Sequence, residues 1–306
     1  MKNKTNGSKT THKRSAAVSL ALGGGGSRGS AHIGVLRALE NANIRVAAIA
    51  GSSIGGLIAA VYAAGYNPDA IQEKLTSLKG SRMLRAPARA PNALIGLEGI
   101  EAILRKVIGE RHFEDLDIPL ALTALDMNTG REVVLREGMV IEAVLATIAI
   151  PGVFPSRKLN GYELVDGGLS NPVPVAVARS LAPRLPVIAV ALSQALEADG
   201  VHVGDKDLDS LPIPGTVKRF RLGRAFLAFT RAMNASGRIQ GEIRLAVEKP
   251  DLIIRPDVEH VGVLDAVDVS DLARRGEQST QAVLPLLRRV LRSRSALGTL
   301  RNLLPN

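Results

Sequence analysis

From Ala16 to Leu22 the chain is an unbroken run of apolar and small residues, too short for an ordinary helix and without a polar face, and Val46 to Ala50 repeats the pattern. Such runs predict strands buried on both faces, as in a parallel sheet. Each leads into a glycine-rich turn and then a helical pattern. Gly23 to Gly29 precedes a helix over about 30–41, and Gly51-Ser52-Ser53-Ile54-Gly55 precedes a small-residue helix ending near Gly65. Two strand-to-helix units in succession predict parallel strands joined by right-handed crossovers.

Pro68 marks a further helix start, with helical spacing to about Leu78, and the Arg, Pro and Ala residues between Arg82 and Pro91 predict a surface loop. A helix near 97–108 leads to a strand over 120–125, a turn at Asn128-Thr129-Gly130 and a returning strand to Leu135, which is a hairpin signal. A helix before Pro151, a strand ending at Val165, a helix near 175–181 and a strand over 187–192 continue the alternation. From Ala195 to Gly215 periodicity fails and Gly, Asp and Pro accumulate, which predicts a long mobile loop of the kind that serves as a lid. A helix rich in Arg and Phe, a strand over 252–255 and a C-terminal helical region follow. The expected architecture is one α/β domain with a mainly parallel sheet between helical layers.

Composition sharpens this picture. Aromatic residues are 3% of the chain and Trp is absent, so the core must be aliphatic. The lack of Cys excludes disulfides, thiolate metal sites and a cysteine nucleophile, and it suits a reducing compartment, which predicts a cytoplasmic protein. The net charge of +10 sits at the ends: Lys2, Lys4, Lys9, Lys13 and Arg14 come first, and Arg288, Arg289, Arg292, Arg294 and Arg301 follow the last acidic residue, Glu277. Setting these ten aside leaves 29 basic against 29 acidic residues. A neutral body with basic ends predicts contact with an anionic lipid surface through the tails, or tails that aid solubility, and not a nucleic-acid groove. The expected division is a basic tail over 1–14, a domain over 15–290 and a basic tail or helix over 291–306. The basic stretch before Ala16 is not read as a secretory signal, since cleavage after Leu22 would cut the glycine loop.

Three segments carry candidate chemistry. Gly51-x-Ser53-x-Gly55, between a buried strand and a helix, has the context of a nucleophile elbow, in which a serine is lifted above the sheet on a strained turn between small residues. Gly24-Gly25-Gly26-Ser27-Arg28-Gly29 lies at the equivalent position after the first strand, where successive N–H groups and a helix N-terminus stabilise an anion. These residues also fit G-x-G-x-x-G, but the second strand ends in Ala50-Gly51-Ser52-Ser53 without the acidic residue a dinucleotide site needs, and no Gly-Lys-Ser/Thr follows to make a phosphate-binding loop. Asp166-Gly167-Gly168 is the third segment; alone it signifies a turn.

Together, in this order, the three resemble the patatin-like phospholipases, whose motifs are a G-G-G-x-R/K-G loop, a G-x-S-x-G elbow and a D-G-G/A. Ala146 to Pro155 is similar to that family's A-S-x-A-I-P-x-x-F-P segment, with Thr147 where the family usually has Ser. The run Ile243 to Asp257 resembles the bacterial branch near neuropathy target esterase. The resemblance covers about 16–289 and implies a three-layer αβα fold and hydrolysis of lipid acyl esters without metal or cofactor. It assigns Ser53 as nucleophile, Asp166 as its base, Gly24, Gly25, Gly26 and Arg28 to the oxyanion hole, and Gly51, Gly55, Gly167 and Gly168 to the supporting turns. None of His12, His32, His112, His202 and His260 falls in a functional motif; His32, in the helix after the glycine loop, is read as a packing residue. The alternative is a catalytically weak lipid-binding protein on the same fold, for which Thr147 is the hint.

Overall fold

The computed structural model describes residues 16–78, 98–195, 221–263 and 265–301. The basic segment 1–14, the 82–91 loop and almost all of the 195–215 loop lie outside the described residues.

The two apolar runs form strands β1 (Ala16–Leu22) and β2 (Ile44–Ser52), paired in parallel. β3 (Leu120–Asp126) joins β2 in parallel, while β7 (Val187–Val190) and β8 (Leu252–Ile254) extend the parallel array from β1. Antiparallel pieces finish the β3 side: β4 (Glu132–Leu135) and β6 (Tyr162–Asp166) both pair with β3, and β5 (Arg157–Leu159) pairs with β6. The order is β5-β6-β3-β2-β1-β7-β8. The chain leaves β1 for β2 on one side and meets β7 on the other, so the carboxyl end of β1 borders a topological switch point, where open α/β sheets place their sites.

Side chains alternate across the sheet as the two-residue period demands. Leu20, Leu22, Ile49, Leu122, Ile188 and Val190 enter the larger core with the helices α1 (Ala31–Asn41), α2 (Ile54–Ala63) and α5 (Val140–Thr147). Ala21, Ala50, Ala121, Val187 and Ala189 point the other way, toward α6 (Val175–Leu181) and Leu245 of α7 (Arg221–Glu248). The small residues on that face let α6 lie close. Helices α3 (Pro68–Leu78), α4 (Glu98–Val107) and α8 (Val269–Arg301) complete the set. The molecule is a three-layer α/β protein with a mostly parallel central sheet.

α8 is built into the core and runs through position 290, where the sequence suggested a boundary. A Cβ on Gly34 would lie 1.7 Å from the Ala273 carbonyl oxygen and one on Gly276 1.9 Å from that of Ala31, so α1 and α8 meet backbone to backbone. Leu287 is fully buried, Leu284 and Leu291 pack against the core, and Arg294 pairs with Asp251 at 2.7 Å. These leucines dock inward.

Candidate active site

β2 passes into α2 through Ser53, whose backbone has φ 53° and ψ −129°. A non-glycine residue there is strained by about 1–3 kcal/mol and persists only when its surroundings hold it. The glycines around it are set by contact. A Cβ on Gly51 would lie 2.5 Å from Gly56 Cα, and one on Gly55 would lie 2.4 Å from the Leu22 carbonyl oxygen at the end of β1. Only glycine permits the turn to press this closely on the sheet.

Thr147 supplies the clamp. Its Oγ1 accepts a hydrogen bond from the Ser53 N–H at 2.9 Å and donates to the Thr123 carbonyl oxygen at 2.6 Å. The hydroxyl at this position is therefore in use. The additional methyl of threonine faces Gly56, where a Cβ would stand 2.8 Å from it. Thr147→Ser should accordingly leave activity within about twofold, whereas Thr147→Val leaves the buried Ser53 N–H unpaired at a cost of about 1–3 kcal/mol in stability. Thermal melts with ester assays on both variants test this, and equal melting temperatures would remove the clamp from the account.

Asp166 arrives from the other side of β3. Ser52 pairs with Thr123, and Asp166 pairs with Ala124, so the sheet register sets elbow and carboxylate one residue apart in level. Asp166 Oδ2 accepts a hydrogen bond from Ser53 Oγ at 2.5 Å, and Oδ1 accepts one from the Gly168 N–H at 2.8 Å. Both side chains are nearly enclosed, Ser53 at 6% and Asp166 at 5% exposure. No Lys or Arg pairs with Asp166 among the described residues. Burial therefore dominates and raises its pKa to about 6, against the opposing pull of the bonds from Ser53 and Gly168. Gly167 is required by packing, since a Cβ there would lie 2.1 Å from the Thr123 carbonyl oxygen.

The glycine loop lies against the elbow, with a Cβ on Gly24 falling 3.2 Å from Ser53 Cβ. Its amides divide into two kinds. The Gly24 N–H donates to the Pro172 carbonyl oxygen at 2.9 Å, and the Arg28 N–H to that of Gly25 at 3.3 Å. The N–H groups of Gly25 and Gly26 find no acceptor among the described residues. Of the four residues that the sequence assigned to anion binding, Gly24 and Arg28 thus have their amides committed within the protein. Arg28 instead braces the loop through Nε, which donates to the Val261 carbonyl oxygen at 2.5 Å.

His32 is fully buried, and its Nε2 donates to the Gly23 carbonyl oxygen at 2.8 Å. Burial lowers its pKa to about 4, so the ring is neutral and Nε2 carries the proton. It secures the start of the glycine loop, while the Ser53 hydroxyl donates to Asp166. His112 and His260 are exposed, and His12 and His202 lie outside the described residues. Sequence reasoning missed Thr123, Gly56 and Pro172. The doubled glycine Gly55-Gly56 and the Asn171-Pro172-Val173-Pro174 run were the available signals.

Residues 20–179 match the model of the patatin-like phospholipase family. An uncharacterized NTE family protein of Mycobacterium tuberculosis is 37% identical over 181 residues, which are 58% of this chain and 50% of the relative. Patatin-like phospholipase domain-containing protein 7 of Mus musculus is 30% identical over 196 residues, 62% of this chain and 14% of that protein. The chain spans about half the length of the mycobacterial relatives it matches. Among solved structures, VipD from Legionella pneumophila aligns with a TM-score of 0.46 at 12% identity, covering 91% of this chain and 67% of that one. The chain belongs to the patatin-like phospholipase family, whose members are in general lipid acyl hydrolases.

Proposed function

We propose that this member of the family is a serine hydrolase of lipid acyl esters that works through a dyad of Ser53 and Asp166. The observation that carries the reading is the 2.5 Å hydrogen bond from Ser53 Oγ to Asp166 Oδ2, made between two nearly enclosed side chains. Serine needs a base to become a nucleophile, and a carboxylate with a pKa near 6 is a far better base than one near its ordinary value.

In the proposed reaction, Ser53 Oγ attacks the ester carbonyl carbon while its proton passes to Asp166 Oδ2. The carbonyl electrons move to oxygen, and the Gly25 and Gly26 N–H groups, which have no acceptor among the described residues, stabilise the charge. Collapse breaks the bond to the alcohol, which takes the proton from Asp166 and departs. Water then gives a proton to Asp166 and attacks the acyl-enzyme, and the second collapse returns the proton to Ser53 Oγ with release of the fatty acid. The alternative of a catalytically weak lipid-binding protein rested on Thr147, and the bonds of its hydroxyl to Ser53 and Thr123 support the enzymatic reading at that position.

Treatment with a fluorophosphonate probe, followed by peptide mapping, tests the assignment. The expected result is stoichiometric modification of Ser53; a protein that hydrolyses esters yet is modified elsewhere refutes it.

A further inference from the structure

Helix α7 has two unlike faces. The inner one holds the loop that follows Asp166: a Cβ on Gly237 would lie 3.8 Å from the Gly168 carbonyl oxygen, Gln240 Nε2 donates to that of Ser170 at 3.0 Å, and Gly241 sits on Pro172. Arg244 adds an ion pair to Glu132 at 3.0 Å, and Glu132 in turn accepts a bond from Asn171. The outer face bears Phe229, Ile239, Ile243 and Val247, which are 48%, 50%, 58% and 73% exposed. At 3.6 residues per turn these four fall within roughly 80° of arc along about 27 Å of helix. Ala232 and Ser236, also exposed, fill the positions between them, and no charged residue enters that arc from Phe229 to Val247.

An apolar stripe of this length on the outside of a protein marks a contact surface. Four side chains exposed to this degree offer on the order of 400 Å², about half of what each partner contributes to a stable dimer. A second copy of the chain is therefore a poor occupant. A narrow, convex, uncharged stripe suits insertion among acyl chains, the mode of helices that lie in the plane of a membrane interface. Its place agrees with this, since the inner face of the same helix touches residues two and four positions after Asp166.

We propose that the outer face of α7 is the lipid-docking surface of the enzyme, seating Phe229, Ile239, Ile243 and Val247 in the outer layer of a phospholipid bilayer beside the site. This inference rests on the hydrolase reading for its substrate, but binding can be measured without turnover. It also differs from attraction through the basic segments, which salt screens, because apolar insertion survives salt.

The test replaces Ile239, Ile243 and Val247 together by Gln, on the Ser53→Ala background for binding and on the native background for hydrolysis. Co-sedimentation with phosphatidylcholine vesicles containing phosphatidylglycerol is measured at low and at high salt. The triple variant is expected to bind roughly tenfold or more weakly at both, with hydrolysis of a short soluble ester unchanged. Equal vesicle binding by the two proteins overturns the proposal. A dimer in sedimentation equilibrium that the triple variant dissolves overturns it as well, by assigning the stripe to a second copy. Absence of ester hydrolysis by the native protein refutes the hydrolase reading alone, and the vesicle comparison still decides the surface.

Discussion

Asp166→Asn should lower kcat for a soluble acyl ester by about a thousandfold, the middle of the range for removing a positioned general base, while leaving the protein folded. Asparagine keeps the shape and the oxygen that accepts the Gly168 N–H, but it cannot take a proton from Ser53. The native enzyme should show the corresponding pH dependence. In the proposed dyad the carboxylate is the active form, so with a pKa of about 6 kcat/KM should be full above that value and fall about tenfold per pH unit below it.

The same shift predicts an effect on stability with the opposite sense. The folded pKa lies above the ordinary 3.8, so the native state holds the proton more tightly than the unfolded chain. The stability this provides is complete below pH 3.8 and is lost as pH rises through 6. At neutral pH the ionised side chain therefore costs on the order of 3 kcal/mol, from a shift of about two pKa units. Asp166→Asn removes that cost, and its melting temperature should equal or exceed that of the native protein at pH 7.5, with the difference shrinking toward pH 4. Melting curves at the two pH values, alongside the rate profile, check both senses. A variant that is inactive but markedly less stable at pH 7.5 would make Asp166 a structural residue instead.

The parts of this arrangement that were legible in the sequence are those encoded by local constraint. β1 and β2 are apolar runs because parallel strands bury both faces, and the glycines beyond them mark places where backbone meets backbone. The Gly55 contact with Leu22 is of this kind. The antiparallel flank was only partly visible. The hairpin β3–β4 announced itself through Asn128-Thr129-Gly130, but β5 is three residues long and went unread, although Asn160 and Gly161, at φ 50° and 82°, form the Asn-Gly turn that joins it to β6.

What stayed hidden depends on distant partners. Which loop amides are spent is decided by Pro172, nearly 150 residues from Gly24, and by the geometry of the 3-10 turn that engages Arg28. Likewise the stretch over 291–306 was read from its charges as a basic tail or helix, whereas Gly276 and Leu287 place the earlier part of α8 in the core through contacts that no local pattern reveals. The stripe on α7 was obscured because its four residues are diluted by alanines and by flanking arginines, some of which pair inward, as Arg244 does with Glu132 and Glu248.

The division of the loop amides makes Gly25 the sharpest position at which to disturb the proposed oxyanion hole. An alanine there would place its Cβ 2.9 Å from Leu192 Cδ1 and 3.0 Å from Leu192 Cβ, and the loop must shift to relieve the contact. A shift of a few tenths of an ångström is small for substrate binding but large for donors that must meet a charge formed only in the transition state. Gly25→Ala should therefore lower kcat by about a hundredfold or more, the scale for losing an oxyanion donor, with KM changed much less. The Ser53 to Asp166 bond lies across the elbow and stays intact, so fluorophosphonate labelling should slow without moving to another residue. Turnover unchanged in a folded Gly25→Ala protein would take this loop out of the mechanism.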